Sequence, residues 1–221
     1  MTVDVLASGS KGNCTAITVG DKLLLIDCGL SCGKILGKLN GRLPDAVIIT
    51  HEHGDHAFCA LQFLKRAVDI YLTEGTRKAL RLIDRHNMHI IKAGTEFELF
   101  DLKITPLKSI HDDAEPVNFI IADDVDRVLF VTDTGAVPQV NGSFTQIFIE
   151  ANYSEPALLA SDINEFQRQR ILENHLSIEQ AENFLKQYPD ADATLIHLSR
   201  RHADDDEFKR RIQNVHRKQD C

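Results

Sequence analysis

The chain has 221 residues, 43% of them hydrophobic and 26% charged, as is typical of a soluble globular protein. Its formal net charge of −8 argues against broad electrostatic adhesion to nucleic acid, which normally requires a basic surface. Because the chain lacks a long apolar run and a basic leader before an apolar segment, we expect neither a membrane span nor a signal peptide. No repeat or Pro/Gly-rich linker divides the sequence, so a single domain over 1–221 is predicted.

Strand-like and helix-like segments alternate in the first half of the chain. Apolar and β-branched runs predict strands at Val3–Leu6, Cys14–Val19, Lys22–Asp27, Ala46–Thr50, Asp69–Leu72 and His89–Ile91. Helical periodicity predicts helices at Cys32–Leu39, Ala57–Val68 and Thr76–Asn87.

The second half also supplies strands first and helices afterwards. Strands are predicted at Glu96–Thr105, Val117–Ala122, Arg127–Thr132, Gln146–Glu150 and Ala193–His197. Helices are predicted at Pro156–Glu173, Ser177–Tyr188 and Glu207–Arg217. This order predicts an α/β fold in which two sheets pack face to face with helices on the outside.

The cysteines give little support for a thiolate metal site. They are few, scattered and never arranged as a CxxC pair: Cys14, Cys28, Cys32, Cys59 and Cys221. A reduced, cytoplasmic protein is therefore expected.

The most informative segment is His51-Glu52-His53-Gly54-Asp55-His56, which directly follows a predicted strand. It places three imidazoles and a carboxylate close together on a base that a strand can hold rigid. Imidazole and carboxylate ligands suit Zn²⁺, Mn²⁺ or Fe. We therefore predict a metal site here.

Further candidate ligands each follow an apolar run: His111, Asp133 and His197. Together with His51, His53, Asp55 and His56 they exceed what one tetrahedral ion needs, since a catalytic zinc typically has three protein ligands and water. Two divalent ions that share a bridging carboxylate fit the number better, with Asp133 as the bridge. The other histidines are interpreted as surface residues: His86, His89, His202 and His216.

The motif His51-x-His53-x-Asp55-His56, followed in order by His111, Asp133 and His197, resembles the metallo-β-lactamase fold, an αββα sandwich. The resemblance implies two mixed sheets with helices on both outer faces. It also implies that His51, His53 and His111 bind one metal, that Asp55, His56 and His197 bind the other, and that Asp133 bridges them. Zn²⁺ and Mn²⁺ are both compatible with these ligands.

Other segments resemble the YycJ/WalJ group, described as double-strand DNA exonucleases. These are Ala7–Cys14, Leu25–Leu30, Glu150–Tyr153, Asn174–Ser177 and His197–Ser199. The chain is also similar to tRNase Z, in which a Glu on a strand and a His before a helix assist departure of the leaving group. Glu150 and His175 match that pair, and a capping pattern that begins at Ser177 gives His175 a structural interpretation as well.

A metal-dependent phosphodiesterase, preferably a DNA exonuclease, is the function this resemblance implies, with Asp55, His175 and Glu150 as catalytic residues. A cyclic-nucleotide phosphodiesterase of phage type and an RNA endonuclease related to tRNase Z remain alternatives. So do a non-catalytic binding module and a thiolester or lactam hydrolase, although a leaving-group acid argues against the last. The expected partner is DNA or a nucleotide substrate rather than a membrane, and a homodimer is left open.

Substrate contacts are predicted at two loops near the ligands. A Gly-punctuated loop carries Ser10 and Asn13, where backbone amides could bind phosphate, and Ser199 and Arg200 follow the candidate ligand His197. A hairpin turn and plain surface solvation are the competing interpretations. Basic clusters at Lys209–Arg211 and Arg217–Lys218 could also contact phosphate, but a solvated face of the C-terminal helix is favoured.

Overall fold

The computed structural model of the protein describes residues 1–217, and for 214–217 it describes the backbone alone. Lys218 and Cys221, named above, lie outside the described residues. The chain divides into two compact units. Unit 1 contains residues 1–108 and 113–117, and unit 2 contains residues 109–112 and those from 118 onward. A single domain over 1–221 stays a prediction.

Unit 1 is built on a mixed sheet whose strands follow one another in sequence order. They are β1 (Thr2–Ala7), β2 (Cys14–Val19), β3 (Lys22–Ile26), β4 (Ala46–Ile48), β5 (Asp69–Thr73) and β6 (Met88–Ile91). Strands β1 to β3 are antiparallel neighbours, whereas β3 to β6 run parallel. Strands β3 and β4 are nearly all apolar because they are buried on both faces.

The helices of unit 1 are shorter than predicted. They are α1 (Cys32–Lys38), α2 (Gly54–Ala57), α3 (Ala60–Leu64) and α4 (Glu74–Ala79). The predicted helix over Ala57–Val68 breaks at Cys59 and ends before Ala67, which has a φ of 60°. The helix predicted over Thr76–Asn87 stops before Arg81, whose φ is 53°. Left-handed backbone at a non-glycine residue cannot continue an α-helix.

A hairpin completes unit 1. The single strand predicted over Glu96–Thr105 is two antiparallel strands, β7 (Phe97–Leu99) and β8 (Leu102–Lys108). Phe100, at the turn, has a φ of 58°. The pattern of apolar residues does not reveal such a tight turn when the turn itself contains an aromatic residue.

Unit 2 contains a sheet of four of its own strands, in the order β12-β11-β10-β9. These are β9 (Val117–Ala122), β10 (Arg127–Val131), β11 (Gln146–Glu150) and β12 (Asp192–Ile196). Strands β9 and β10 are antiparallel, and the others run parallel. The bounds of β9 and β11 coincide with the prediction.

The helices of unit 2 are α5 (Glu155–Leu159), α6 (Glu165–Asn174), α7 (Ile178–Leu185) and α8 (Asp205–Arg217). The predicted helix over Pro156–Glu173 is therefore two helices. Asn164 starts the second one with a capping box to Gln167, because its side chain accepts the amide hydrogen that a helix start leaves unpaired. The capping pattern predicted at Ser177 is confirmed, with Gln180 as its partner.

Cys32 and Cys59 form a disulfide, with their Cα atoms 5.5 Å apart. The expectation that the cysteines are reduced is therefore wrong for this pair, since a separation of 27 residues conceals their proximity. Cys14 and Cys28 are buried thiols. Within residues 1–217, no helix combines the length and apolarity that a bilayer span requires.

Candidate metal centre and active site

The histidine motif of unit 1 occupies the loop after β4 and the start of α2. His53 is the N-cap of α2, and its carbonyl accepts hydrogen bonds from His56 N and Ala57 N, both at 2.9 Å. This tight helical start brings His51 and His56 together, with ring centroids 4.1 Å apart. The motif therefore places its side chains together on one short turn, in which His51 and His56 are buried.

A buried carboxylate orients two of these imidazoles. Asp27 Oδ2 lies 2.7 Å from His56 Nδ1, and both of its oxygens accept hydrogen bonds from Thr50 Oγ1. Thr50 Oγ1 in turn lies 2.9 Å from His51 Nδ1. These contacts engage Nδ1 of each ring, as is typical of histidines that bind a metal through the other ring nitrogen. Asp27 was not predicted, although it ends a strand as the predicted ligands do.

Asn13 contacts the same cluster. Its Nδ2 lies 2.8 Å from His56 Nε2 and 3.3 Å from Asp55 Oδ2, and its backbone N–H donates to Asp55 O at 2.7 Å. Asn13 was predicted to bind substrate. In the structure it is buried and positions the Asp55–His56 segment.

One carboxylate beside the motif was missed from the sequence. Asp113 Oδ1 lies 3.2 Å from His53 Nε2, and Asp113 Oδ2 lies 3.6 Å from His51 Nε2. Its side chain is only 3% exposed. The only signal in the sequence is a second aspartate close after His111, which strand-end reasoning does not reach.

Unit 2 places its candidate residues where parallel strands end. Asp133 follows β10, Glu150 ends β11 and His197 follows β12. Asp133 and His197 have φ values of 43° and 53°, a conformation that is uncommon outside glycine and concentrates at functional sites. Asp133 Oδ1 lies 3.5 Å from His197 Nε2 and 3.8 Å from His111 Nε2. Unit 2 therefore brings three predicted ligands together.

Glu150 is the most connected group of this cluster. It is fully buried, and its Oε1 lies 2.6 Å from His175 Nδ1 and 3.0 Å from His197 Nδ1. Its Oε2 accepts the backbone N–H groups of Thr134 and Leu176, both at 3.2 Å. Glu150 thus orients the predicted proton donor and a predicted metal ligand at the same time.

The electrostatic environment favours the charged forms of Glu150 and His175. Burial alone would raise the pKa of Glu150, but the charge and hydrogen bond of His175, with a hydrogen bond from His197, lower it below its usual value. Burial likewise favours neutral His175, yet the facing Glu150 carboxylate raises the pKa of that imidazole. The arrangement can therefore hold a proton at His175.

His175 lies in the connection between α6 and α7 and is the C-cap of α6. Its side chain is 19% exposed, so it is accessible while its Nδ1 faces Glu150. Gly135 packs against this connection, because a Cβ there would lie 1.9 Å from the Glu173 carbonyl oxygen. The glycine allows the α6 terminus that carries His175 to approach Asp133, whose Oδ1 lies 3.9 Å from His175 Nδ1.

The remaining predicted substrate residues are less constrained. Ser10 and Arg200 are exposed, and Ser199 is half-buried, with Oγ 3.4 Å from His202 Nδ1.

His86 is exposed as predicted, and His89 is partly exposed, paired with Asp69 and stacked on a tyrosine ring.

His202 corrects the surface interpretation, because it is buried and its carbonyl accepts the N–H of Ser154. Burial lowers the pKa of this imidazole, and the charge of Arg201 adds to the effect. The neighbouring charges concealed its burial at the sequence level. The side chain of His216 lies outside those that the structure describes.

The donors in each unit are chemically suited to divalent cations. In unit 1, His51, His53 and Asp113 offer ligand atoms within 4.8 Å of one another, and in unit 2, Asp133 and His197 do so with Glu150 and His175. Neutral imidazole nitrogen and carboxylate oxygen are ligands of Zn²⁺ and Mn²⁺. The residues present therefore fit the metal ions that the sequence predicts.

The chain belongs to the β-lactamase superfamily, because the model of the beta-lactamase superfamily domain matches residues 23–198. Among its relatives is the exodeoxyribonuclease WalJ of Streptococcus pneumoniae, 32% identical over 194 residues that cover 79% of this chain and 72% of WalJ. Exodeoxyribonuclease YycJ of Bacillus anthracis is 32% identical over 145 residues, covering 60% and 54% of the two chains.

A solved structure shows the same fold. The metallo-beta-lactamase fold protein YhfI from Bacillus subtilis matches with a TM-score of 0.74 and 22% identity, covering 96% of this chain and 91% of YhfI. The predicted fold, two mixed β-sheets flanked by helices in the metallo-β-lactamase sandwich, is confirmed. The predicted similarity to the YycJ/WalJ group is confirmed as well.

Proposed function

We propose that this protein is a metal-dependent hydrolase of phosphodiester bonds that acts on DNA as an exonuclease. The relatives WalJ and YycJ bear the name exodeoxyribonuclease, and the first of them aligns over most of both chains. Support from the chain itself comes from the Glu150–His175 pair, which is the observation that carries the proposal.

The proposed cofactor is a pair of divalent ions, Zn²⁺ or Mn²⁺. As the resemblance implies, His51, His53 and His111 would hold one ion, Asp55, His56 and His197 the other, and Asp133 would bridge them. When bound, such ions stabilise charge on a phosphoryl group and lower the pKa of water, so that a hydroxide nucleophile is available near neutral pH. They would also supply positive charge to a chain whose net charge is −8.

His175 is the proposed proton donor. Cleavage of a phosphodiester expels an alkoxide, which must be protonated as it departs. The raised pKa of His175 keeps its imidazole protonated closer to neutral pH, and because Nδ1 bonds to Glu150, Nε2 is the proposed donating nitrogen. Glu150 positions this histidine and stabilises its charged form, and it does not itself need to contact substrate. Asp55 is assigned a ligand role, as the resemblance implies, and the catalytic role predicted for it stays a prediction.

Substrate binding is assigned to the exposed residues near these clusters. Ser10 and Arg200 are accessible to solvent, and the Arg200 guanidinium suits a phosphate oxygen. The hydroxyl of Ser199 contacts His202 and accepts the Arg201 N–H, and a substrate contact at Ser199 stays a prediction. Cytoplasmic location and a homodimer remain predictions.

A small phosphodiester, such as a cyclic nucleotide, is the second candidate substrate. The net charge of −8 favours it, because a long polyanion is repelled by an acidic surface more strongly than a single nucleotide is. A local basic surface or the bound ions would have to overcome that repulsion for DNA.

A substrate panel tests the proposal. Purified protein with Mn²⁺ or Zn²⁺ is incubated with end-labelled duplex DNA, single-stranded DNA, RNA and cyclic nucleotides, alongside His53→Ala and a control, His86→Ala. We expect wild type and His86→Ala to shorten DNA from its ends and His53→Ala to be inactive, since His86 is exposed and distant in sequence from every proposed ligand.

Cleavage of cyclic nucleotides without cleavage of DNA would select the second candidate. Cleavage of RNA alone would favour the alternative related to tRNase Z. Equal activity of wild type and His53→Ala on every substrate would contradict a metal-dependent mechanism at this motif.

A further inference from the structure

We propose that Asp113 is an additional carboxylate ligand of the metal ion held by His51 and His53. This inference rests on the proposed metal-dependent function and extends it to a residue outside the implied ligand set. It adds one carboxylate of unit 1 to the two imidazoles that unit 1 already supplies. Imidazole nitrogen and carboxylate oxygen are both ligands of Zn²⁺ and Mn²⁺.

The distances in this cluster suit ligands of one ion. Metal–nitrogen and metal–oxygen bonds of about 2.0–2.2 Å place neighbouring ligand atoms of a tetrahedral ion roughly 3.3–3.6 Å apart. Asp113 Oδ1 lies 3.2 Å from His53 Nε2, and Oδ2 lies 3.6 Å from His51 Nε2. Both separations are close to that edge length, and both are measured to the Nε2 atom of the imidazole.

Burial of the Asp113 carboxylate also points to a cation. Its side chain is 3% exposed, and the removal of an ionised carboxylate from water is costly unless a charge or a metal ion compensates. His51 is equally buried, with a side chain 1% exposed, and its Nδ1 is engaged by Thr50. A divalent ion between these groups would stabilise all of them.

The backbone that carries Asp113 is anchored to the metal-binding turn. Ala114 N–H donates to Glu52 Oε1 at 2.8 Å, so the motif residue between His51 and His53 holds the residue after Asp113. Val117 N–H donates to Thr50 O at 2.9 Å, directly before His51. These bonds fix Asp113 relative to both histidines before any ion binds, which is the preorganisation that a metal site requires.

A second pair of contacts holds the far side of this segment. Glu115 Oε2 accepts the N–H of Gly75 at 2.7 Å, and its carbonyl accepts a hydrogen bond from Thr73 Oγ1 at 2.8 Å. A Cβ at Gly75 would lie 2.5 Å from the Glu115 Cβ, so the approach depends on glycine. The segment that carries Asp113 is therefore tied to α4 as well as to the histidine turn.

The test measures metal binding rather than catalysis. Asp113→Asn, which keeps the size of the side chain, is compared with wild type and with Asp84→Asn, which removes the same charge from a side chain that is 85% exposed. Each protein is stripped of metal, titrated with Mn²⁺ by calorimetry, and loaded with Co²⁺ to record the visible absorption of the metal. Metal per chain after desalting is measured by mass spectrometry.

We expect Asp113→Asn to lose at least about tenfold in Mn²⁺ affinity at one site and to show an altered Co²⁺ spectrum, while Asp84→Asn matches wild type. Unchanged affinity and spectrum in Asp113→Asn would overturn the inference, even if its metal-free form unfolded at a lower temperature. Failure of the proposed function would look different, because wild type would then bind metal without cleaving any phosphodiester.

Discussion

Replacement of Gly29 by alanine tests whether the metal-binding turn depends on one close backbone approach. A Cβ at Gly29 would lie 1.6 Å from the Asp55 carbonyl oxygen and 2.7 Å from His56 N. The Asp55–His56 backbone would have to retreat by about 1.5 Å or more before an ordinary contact was restored. That backbone carries two of the proposed ligands.

The displacement has consequences for both stability and activity. The Asp55 carbonyl accepts the Asn13 N–H at 2.7 Å, and His56 O accepts the Cys28 N–H at 2.7 Å, so movement breaks hydrogen bonds in a buried region. Overpacking of this kind costs about 1–3 kcal/mol of unfolding free energy, which lowers the melting temperature by roughly 3–10 °C. A misplacement of about 1 Å in a catalytic site reduces turnover on the order of a hundredfold.

Two glycines of α1 supply matched controls. A Cβ at Gly33 or Gly37 meets no atom within 4 Å, so alanine there should stabilise the helix by about 0.5–1 kcal/mol. The assay records thermal unfolding by circular dichroism, metal content and hydrolysis of DNA for all three variants. If Gly29→Ala kept the melting temperature, metal content and activity of wild type, the steric argument would be refuted.

Three further outcomes are expected. Glu150→Gln should reduce turnover by about 10²–10⁴-fold, because an amide cannot stabilise protonated His175. Single-turnover kinetics measure this loss in a variant that retains the metal content of wild type, and unchanged turnover would contradict the pairing of Glu150 with His175. Burial raises the pKa of the Cys14 thiol to about 12, so Cys14 should resist alkylation at pH 8 in the native protein and react after denaturation. Peptide mass spectrometry detects the label, and rapid labelling of the native protein would disprove the burial of Cys14. Arg211→Ala should lower the free energy of unfolding by about 1–2 kcal/mol, because Arg211 makes a bidentate ion pair with Glu182. The loss of stability should be smaller in high salt, and a loss that does not depend on salt would indicate packing instead.

Local features of the fold were predictable from the sequence. The strands Cys14–Val19, Val117–Ala122 and Gln146–Glu150 have the predicted bounds because each is centred on β-branched and aromatic residues. Helix lengths were not predictable in the same way. Ala67 and Arg81 adopt left-handed backbone after the helices α3 and α4, and neither residue type signals a helix end.

In the candidate site, too, local spacings were predictable from the sequence and contacts between distant residues were not. The proximity of His51, His53 and His56 follows from their spacing, because a single turn holds them. Asp113 and Asp27 could not be found this way, since their contacts with the motif join residues that are far apart along the chain. Only the folded chain brings these partners together.

The sequence by itself determined the superfamily, the strand-end positions of Asp133, Glu150 and His197, and the chemistry of their side chains. These follow from residue types and short spacings, which are properties of the chain alone. Only the tertiary structure decided that one carboxylate, Glu150, contacts both His175 and His197, that His202 is buried, and that Cys32 meets Cys59. Such contacts arise when packing brings distant segments together to bury apolar surface, and no local pattern encodes which distant side chains then meet.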